Sequence, residues 1–293
     1  MKGVTISPST AIENQGNTYM DFDNRLDSAI HKSRDFLLSQ QTEEGYWVDE
    51  LESNATITAE LIFFMHFTET VDLEKQKKLT NYLLHKQRED GSWPLYFGGP
   101  CDINSTVESY MALKLAGVPE NRQEMILARE AIFANGGIRG TRVFTKIFLA
   151  MFGQISWDVC PAVPVEIILF KNWFPLNIYE MSSWSRGTVV PLSIVVSHKP
   201  VCHPLEGHGV KELFTVGDRE LGFEPDGSIF SSWRNFFIYL DKVIKFVGKS
   251  PWKPFRKRAL KKALHWVFEH QEEQGDFAGI QPAMLNSLLA YHY

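Results

Sequence analysis

The sequence predicts an all-α fold built from repeated helix pairs. One frame, Gln-x-x-x-Gly-x-aromatic, occurs three times: Gln41 to Trp47, Gln87 to Trp93 and Gln271 to Phe277. Its glycines, Gly45, Gly91 and Gly275, are separated by 46 and then 184 residues, and the second distance equals four periods of the first. A fixed period of this length is typical of repeat architectures, in which each unit is one supersecondary element.

The first helix of each unit is expected in the apolar run that precedes the glutamine. The glycine should end that helix in the left-handed conformation, which other residues adopt only at a cost. One period beyond Gly91 lies Gly137, shortly after an apolar run of helical length at 126–133. The glutamine and the aromatic residue are missing there, but the glycine that ends the helix is kept.

A second helix is predicted after each glycine turn. Asn54 precedes the apolar segment 57–67, and the polar triplet 104–106 (Asn-Ser-Thr) precedes the segment 107–115. Such residues satisfy the free amides of a helix start. The repeated glutamine carries both a donor and an acceptor, so we expect it to bond backbone groups left open at a neighbouring helix end.

These motifs resemble the QW repeats of the squalene-hopene cyclase and oxidosqualene cyclase family. Further segments look like bacterial squalene-hopene cyclases: 83–93, 98–100, 136–145, 175–180 and 279–282. The resemblance implies an α/α barrel in which the repeats tie the outer helices. It also implies a division into an N-terminal arm, residues 1–25, and a barrel domain, residues 26–293. This domain matches the barrel carried by the N-terminal half of such cyclases.

The resemblance implies an isomerase of triterpenoid and hopanoid biosynthesis, which cyclises squalene after protonating a terminal alkene and needs no metal or organic cofactor. Family members hold the acid in an Asp-x-Asp-Asp motif of the second barrel. That motif does not occur here, and the nearest string, Asp21-Phe22-Asp23-Asn24, lacks the last carboxylate. We therefore assign no catalytic residue and expect the chain alone not to be competent. The alternative is a non-catalytic α/α barrel that binds an isoprenoid lipid or a partner.

Two groups of residues match cavity positions of the family. The substrate-pocket group comprises Trp184, Val189, Ile280 and Pro282, together with Met181, which stands where the family has a channel phenylalanine. The polar-network group comprises Glu60, Glu108, Arg142 and Gln281. In the family the polar residues hold ordered waters where the final cation is deprotonated or hydrated, and buried charges of opposite sign persist when they are paired. Two alternatives stay open: Trp184 is simply a core residue, and the polar group makes only structural bonds between helices.

A third feature is an aromatic segment, residues 229–247, that is too polar to span a bilayer but suits a membrane surface. It is followed by cations without an acid among them: Lys249, Lys253, Arg256, Lys257, Arg258, Lys261 and Lys262. Because the chain as a whole has a net charge of −5, this basic cluster is local. The predicted membrane contacts are Trp233, Phe236, Phe237 and Ile238; the alternative is a buried barrel helix with solvated cations.

The partners implied are therefore squalene or a related polyprene, the cytoplasmic surface of a membrane, and either an acid-bearing second barrel or a second copy of the chain. Nucleic acid is not expected, because the aromatic residues lie in one apolar helix instead of alternating with the cations. Three widely spaced cysteines favour a reducing compartment. The histidines and the cysteine between 198 and 208 fit no familiar metal-ligand spacing, so no metal site is predicted.

Overall fold

The computed structural model describes residues 8–48, 52–174, 177–215 and 222–293. These ranges form α-helices and short 3₁₀ turns, and they contain no β-strand. The helices are α1 (Pro8–Ser39), α2 (Ala55–Phe67), α3 (Leu73–Lys86), α4 (Ile103–Leu115), α5 (Gln123–Ala134), α6 (Val143–Met151), α7 (Ser183–His198), α8 (Trp233–Gly248), α9 (Arg256–Glu269) and α10 (Gln281–Tyr291). The 3₁₀ turns are Ile138–Gly140, Trp157–Val159, Val165–Leu169, Ile178–Glu180 and Lys211–Leu213.

The chain divides into two compact units, Met1–Glu52 and Ser53–Tyr293. The first contains α1 and the first glutamine-glycine turn, and the second contains α2 to α10. The predicted boundary between residues 25 and 26 falls inside α1, which runs without a break from Pro8 to Ser39. The division into arm and barrel therefore stays a prediction.

The second unit is an α/α barrel with α4 as its most enclosed helix. Every residue from Asn104 to Leu115 is buried, since α4 packs against α2, α3, α5 and α6. On the other side α10 packs against α7, α9 and α2, so the last helix returns to the first helix of this unit. Rings of Phe63, Phe148 and Phe152 meet in the core, with centroids 5.2 and 5.7 Å from that of Phe63.

The three glutamine-glycine turns have the predicted backbone conformation. Gly45, Gly91 and Gly275 have φ angles of +92°, +82° and +92°. In each turn the glutamine four residues earlier donates its side-chain N–H to the glycine carbonyl, at 2.7, 2.9 and 3.1 Å respectively. The local sequence therefore closes the same hydrogen-bonded turn three times.

The tryptophan at the end of the frame forms a hydrogen bond with the helix that precedes the turn. The indole N–H of Trp93 donates to the Leu83 carbonyl at 2.8 Å, and that of Trp47 donates to the Leu37 carbonyl at 2.5 Å. Both bonds span ten residues. Phe277, which occupies this place in the third turn, has no such donor.

Helix capping follows the prediction at α2 and departs from it at α4. Asn54 accepts the N–H of Thr56 at 3.0 Å, as expected of an N-cap. At α4 the cap is Asp102, which accepts the Ser105 N–H at 2.8 Å. Asn104 lies inside the helix instead, where its side-chain oxygen accepts the backbone N–H of Arg142 at 2.7 Å. The prediction of a cap at 104–106 was wrong because the carboxylate just before it takes that role.

Candidate functional site

A cluster of polar side chains joins four helices in the interior of the second unit. The amide of Gln281, at the start of α10, donates to the Glu60 carboxylate of α2 at 2.9 Å. The hydroxyl of Thr145, on α6, donates to the Glu108 carboxylate of α4 at 2.5 Å. The two carboxyl groups are close enough that the charge of Glu60 acts on Glu108. The structure therefore brings Glu60, Glu108 and Gln281 together, and their role as a network that holds water stays a prediction.

Burial raises the pKa of both carboxyl groups in this cluster. Removal from water raises the pKa of Glu60 to about 7, and the hydrogen bond from Gln281 only partly opposes this rise. The pKa of Glu108, which is almost entirely buried, lies well above its ordinary value, because burial and then the neighbouring Glu60 disfavour its charged form. Burial therefore favours the protonated form of Glu108, and Glu60 titrates near neutral pH.

Two oxygen atoms in the cluster are buried without a hydrogen-bond partner among the described residues, Glu108 Oε2 and Gln281 Oε1. Buried polar atoms are normally satisfied by protein groups or by ordered water. A proton on Glu108 would make one of them a donor and leave the other an acceptor. The cluster can therefore hydrogen-bond a water molecule or a hydroxyl group.

Arg142 does not neutralise these carboxyl groups. Its side chain is 70% exposed, and its guanidinium lies 3.8 Å from the Asp102 carboxylate at the rim of the fold. The expected ion pair between Arg142 and the buried carboxyl groups is therefore not observed. Glu60 and Glu108 have raised pKa values instead. Thr145, which the sequence analysis missed, is the direct partner of Glu108. It lies one helical turn after Arg142, so the helical period offered a signal for it.

The predicted substrate-pocket residues lie on, or just before, two helices that pack together, α7 and α10. A Cβ built on Gly187 of α7 would lie 3.7 Å from Ala283 of α10, so the two helices approach closely. Trp184 is 62% exposed and Met181 39% exposed at the start of α7. Val189, Ile280 and Pro282 are half-buried. The exposure of Trp184 speaks against the alternative of a core tryptophan, and its role in a pocket stays a prediction.

Helix α8 is amphipathic with its apolar face outward. Large apolar side chains along one side are more than half exposed: Trp233, Phe237, Val243, Phe246 and Val247. The opposite side packs inward through polar groups: Asn235 is completely buried, and Asp241 accepts the backbone N–H of Ala162 at 2.6 Å. This is the reverse of an ordinary surface helix, whose apolar stripe faces the core.

The four predicted membrane contacts differ in position on α8. Trp233 and Phe237 are exposed and Phe236 is half-buried, but Ile238 is only 8% exposed and lies on the inward side. Ile238 therefore does not belong to the exposed stripe.

Within the described ranges no helix is both long and apolar enough to cross a bilayer. In these ranges no three His, Cys, Asp or Glu side chains are grouped to hold a metal ion.

Comparison with known proteins gives a match over nearly the whole chain. A sequence model described as the squalene-hopene cyclase N-terminal domain matches residues 30–293. The squalene–hopene cyclase of Alicyclobacillus acidocaldarius is 42% identical over 267 residues, which cover 90% of this chain and 41% of that protein. The squalene–hopene cyclase of Zymomonas mobilis is 37% identical over 289 residues, which cover 98% of this chain and 43% of that protein.

A relative with another named product is also similar. The dammaradiene synthase of Dryopteris crassirhizoma is 37% identical over 268 residues, which cover 90% of this chain and 38% of that enzyme. The chain thus spans about two fifths of the length of each of these three relatives.

Proposed function

Because the chain belongs to the family of the squalene-hopene cyclase N-terminal domain, we propose that it forms one barrel of a triterpene cyclase. The proposed reaction is the proton-initiated polycyclisation of squalene or a related polyprene, an isomerisation without metal or organic cofactor. No Asp-x-Asp-Asp motif occurs in these 293 residues, so no protonation step is assigned to them. The chain would contribute cavity wall and the polar end of the cavity.

The observation that carries this proposal is the Glu60–Gln281–Glu108 cluster. A cyclisation cascade ends in a carbocation, which either loses a proton to a base or gains a water molecule and then loses a proton. Unsatisfied oxygens on Glu108 and Gln281 can orient such a water, and Glu60, with a pKa of about 7, can accept the released proton. An aromatic face such as that of Trp184 stabilises positive charge along the folded polyprene.

A chimera tests the enzymatic proposal. We would fuse this chain to the remaining part of the Alicyclobacillus relative and follow squalene conversion by gas chromatography, with the chain alone as the control. The chimera should form cyclic products and the chain alone none. Squalene binding by the chain, together with an inactive but folded chimera, would favour the non-catalytic lipid-binding alternative.

Two substitutions in that chimera test the assigned roles. Glu60→Gln should change the ratio of alkene to alcohol product, because the terminal water loses its proton acceptor. Trp184→Ala should increase partially cyclised products, because the lost π-face no longer stabilises an intermediate cation. Trp252→Ala removes another exposed tryptophan, 79% exposed against 62% for Trp184, and serves as the control. Unchanged product ratios with a lower melting temperature would contradict both roles.

The titration of Glu60 can be measured through stability. A raised carboxyl pKa means that the folded state binds the proton more tightly, so its stabilising contribution is lost as the pH rises from about 4.5 to about 7. The difference in the free energy of unfolding between Glu60→Gln and the parent should therefore favour the variant more at pH 8 than at pH 5, by roughly 1–3 kcal/mol. The control Glu124→Gln removes a carboxylate whose pKa the Arg122 hydrogen bond lowers to about 2, so its effect should be the same at both pH values.

Membrane association is proposed from the outward apolar face of α8 and the cations that follow it. Replacing Trp233, Phe237 and Phe246 with serine should sharply reduce co-sedimentation with vesicles that contain phosphatidylglycerol. The control replaces Leu95, Tyr96 and Phe97, which are also exposed but lie far from α8 in the sequence. Binding should also fall with added salt, because salt screens the cations. Equal binding by the two triple variants would contradict the assignment to α8.

A further inference from the structure

A cavity of about 1000 Å³ lies between the 3₁₀ turn Val165–Leu169, the segment that follows it and the beginning of α9. Its walls carry Leu169 and four aromatic residues, Phe170, Trp173, Tyr179 and Phe255. The rings of Phe170 and Phe174 pack with centroids 4.4 Å apart, which braces one wall. A cavity of this size can enclose much of a drug-sized ligand.

The cavity also carries an excess of positive charge. Among the described residues that line it, the cations are Lys171, Arg258 and Lys262, and the one acid is Glu166. That acid is already engaged, because Glu166 accepts a hydrogen bond from the Arg256 guanidinium at 2.7 Å. The charge of Glu166 is therefore balanced by Arg256 and does not neutralise the three cations.

The three cations differ in how they are held. The Lys262 ammonium donates to the Ile168 carbonyl at 2.7 Å and is thereby fixed at the cavity wall. Lys171 and Arg258 make no ion pair with any described residue. The first turn of α9 contains no acidic residue, and its N-cap, Phe255, has no side-chain capping bond. Of the lining residues that the structure describes, Glu166 is the one acid, and its pairing with Arg256 limits its opposition to a bound anion.

We propose that this cavity binds an anionic phospholipid. Guanidinium and ammonium groups recognise phosphate through charge-assisted hydrogen bonds, so Lys171 and Arg258 would hold the headgroup phosphate. The apolar part of the lipid would pack on Trp173 and Phe255, whose rings are 78% and 61% exposed and thus open to a ligand. A molecule that satisfies both the charge and the aromatic wall is an amphiphile with an anionic head.

The proposal rests on the proposed membrane association for its supply of ligand. The cavity borders the beginning of α9, which follows α8 and carries five of the seven cations of the basic cluster, so a bilayer in contact with α8 would present lipids nearby. The site is distinct from the Glu60–Gln281–Glu108 cluster and shares no residue with the predicted substrate pocket. Its occupation would anchor the barrel to a lipid headgroup rather than supply a substrate.

A soluble lipid separates binding at this cavity from binding to a membrane. We would titrate the full chain with dihexanoyl phosphatidylglycerol below its micelle concentration by calorimetry, and compare dihexanoyl phosphatidylcholine and inorganic phosphate. The test variant is Lys171→Gln with Arg258→Gln. The matched control is Lys257→Gln with Lys261→Gln, which removes the same charge from exposed residues of α9 that do not line the cavity.

Saturable binding of the phosphatidylglycerol is expected, at least about tenfold weaker in the test variant and within about twofold of the parent in the control. Equal weakening in both variants would mean diffuse electrostatic attraction and overturn the site. Absence of saturable binding, or equal affinity for phosphatidylcholine, would overturn it as well. Inorganic phosphate that binds as tightly as the lipid would reject the lipid assignment. Failure here together with intact vesicle binding would leave the α8 proposal standing.

Discussion

The turns at Gln87 and Gln271 have the same local structure and different surroundings. In both, the glutamine donates to the glycine carbonyl, and the residue after the glutamine donates its N–H to a carbonyl four residues later at 3.0 Å. The second N–H of Gln87 also reaches the Glu124 carbonyl of α5 at 2.8 Å. Among the described residues, the side chain of Gln271 bonds only within its own turn.

The glycines show the difference most directly. A Cβ on Gly91 would lie 2.3 Å from the backbone carbon of Leu127, so α5 rests on the bare glycine. A Cβ on Gly275 would meet only the side chain of Gln271, at 3.8 Å. The same seven-residue frame thus encodes a turn in both places, but only the turn at Gln87 also fixes the position of a neighbouring helix.

Alanine at the two glycines should separate these roles most strongly. At Gly275 only the left-handed φ is disfavoured, which costs about 1–2 kcal/mol. At Gly91 the collision with α5 adds an overpacking cost of about 1–3 kcal/mol, so Gly91→Ala should lose roughly 2–5 kcal/mol in total. Denaturant unfolding of both variants measures the difference. Equal losses would show that α5 can move away from Gly91 without penalty.

Removal of the glutamine side chain should have the next largest effect. Gln87→Ala leaves the carbonyls of Gly91 and Glu124 without this donor and should cost about 1–3 kcal/mol, since each net hydrogen bond contributes about 0.5–1.5 kcal/mol. Gln271→Ala removes one exposed bond and should cost at most about 0.5–1 kcal/mol. Chemical denaturation curves for the two variants provide the comparison. A Gln271 variant as destabilised as the Gln87 variant would assign the whole effect to the turn itself.

The smallest expected effect comes from the indole donor. Trp93→Phe makes the second turn resemble the third, and it should cost about 1–2 kcal/mol because the buried Leu83 carbonyl loses its partner. Trp47→Phe removes the same bond from a half-exposed ring and should cost less, about 0.5 kcal/mol, since water replaces the donor. Thermal melts of both variants give the order. A larger loss for Trp47→Phe than for Trp93→Phe would show that burial of the ring does not determine how much this hydrogen bond contributes.

Much of the helical framework could be predicted from local sequence. The glycines at positions 45, 91 and 275 adopt positive φ because the short turn demands it, and this demand is local. The contact between Gly91 and α5 could not be predicted, because Gly275 lies in the same Gln-x-x-x-Gly-x-aromatic frame and makes no such contact. The prediction of the α4 cap failed for a related reason. Asp102 and Asn104 are both good N-cap residues, but the Asn104 side chain accepts the N–H of Arg142, at the start of α6, and Asp102 caps α4.

The site was predicted with similar limits. Glu60, Glu108 and Gln281 were identified from their match to family positions, and the structure brings them together. The sequence could not reveal that Arg142 turns outward, because this depends on where Asp102 lies. Ile238 was assigned to the membrane face by its composition, although the helical period places it opposite Trp233 and Phe237. A helical projection of α8 would have separated it from the exposed stripe.

The hydrogen bond between Glu60 and Gln281 joins residues 221 positions apart in the sequence. On a ribosome, α2 would emerge long before α10, so the carboxyl group of Glu60 would wait without this partner while most of the barrel was synthesised. Contacts of α4 with α2, α3, α5 and α6 join near neighbours along the chain and can form early, whereas ring closure requires the most distant pair. The barrel should consequently grow by sequential addition of helices and become cooperative only when α10 docks.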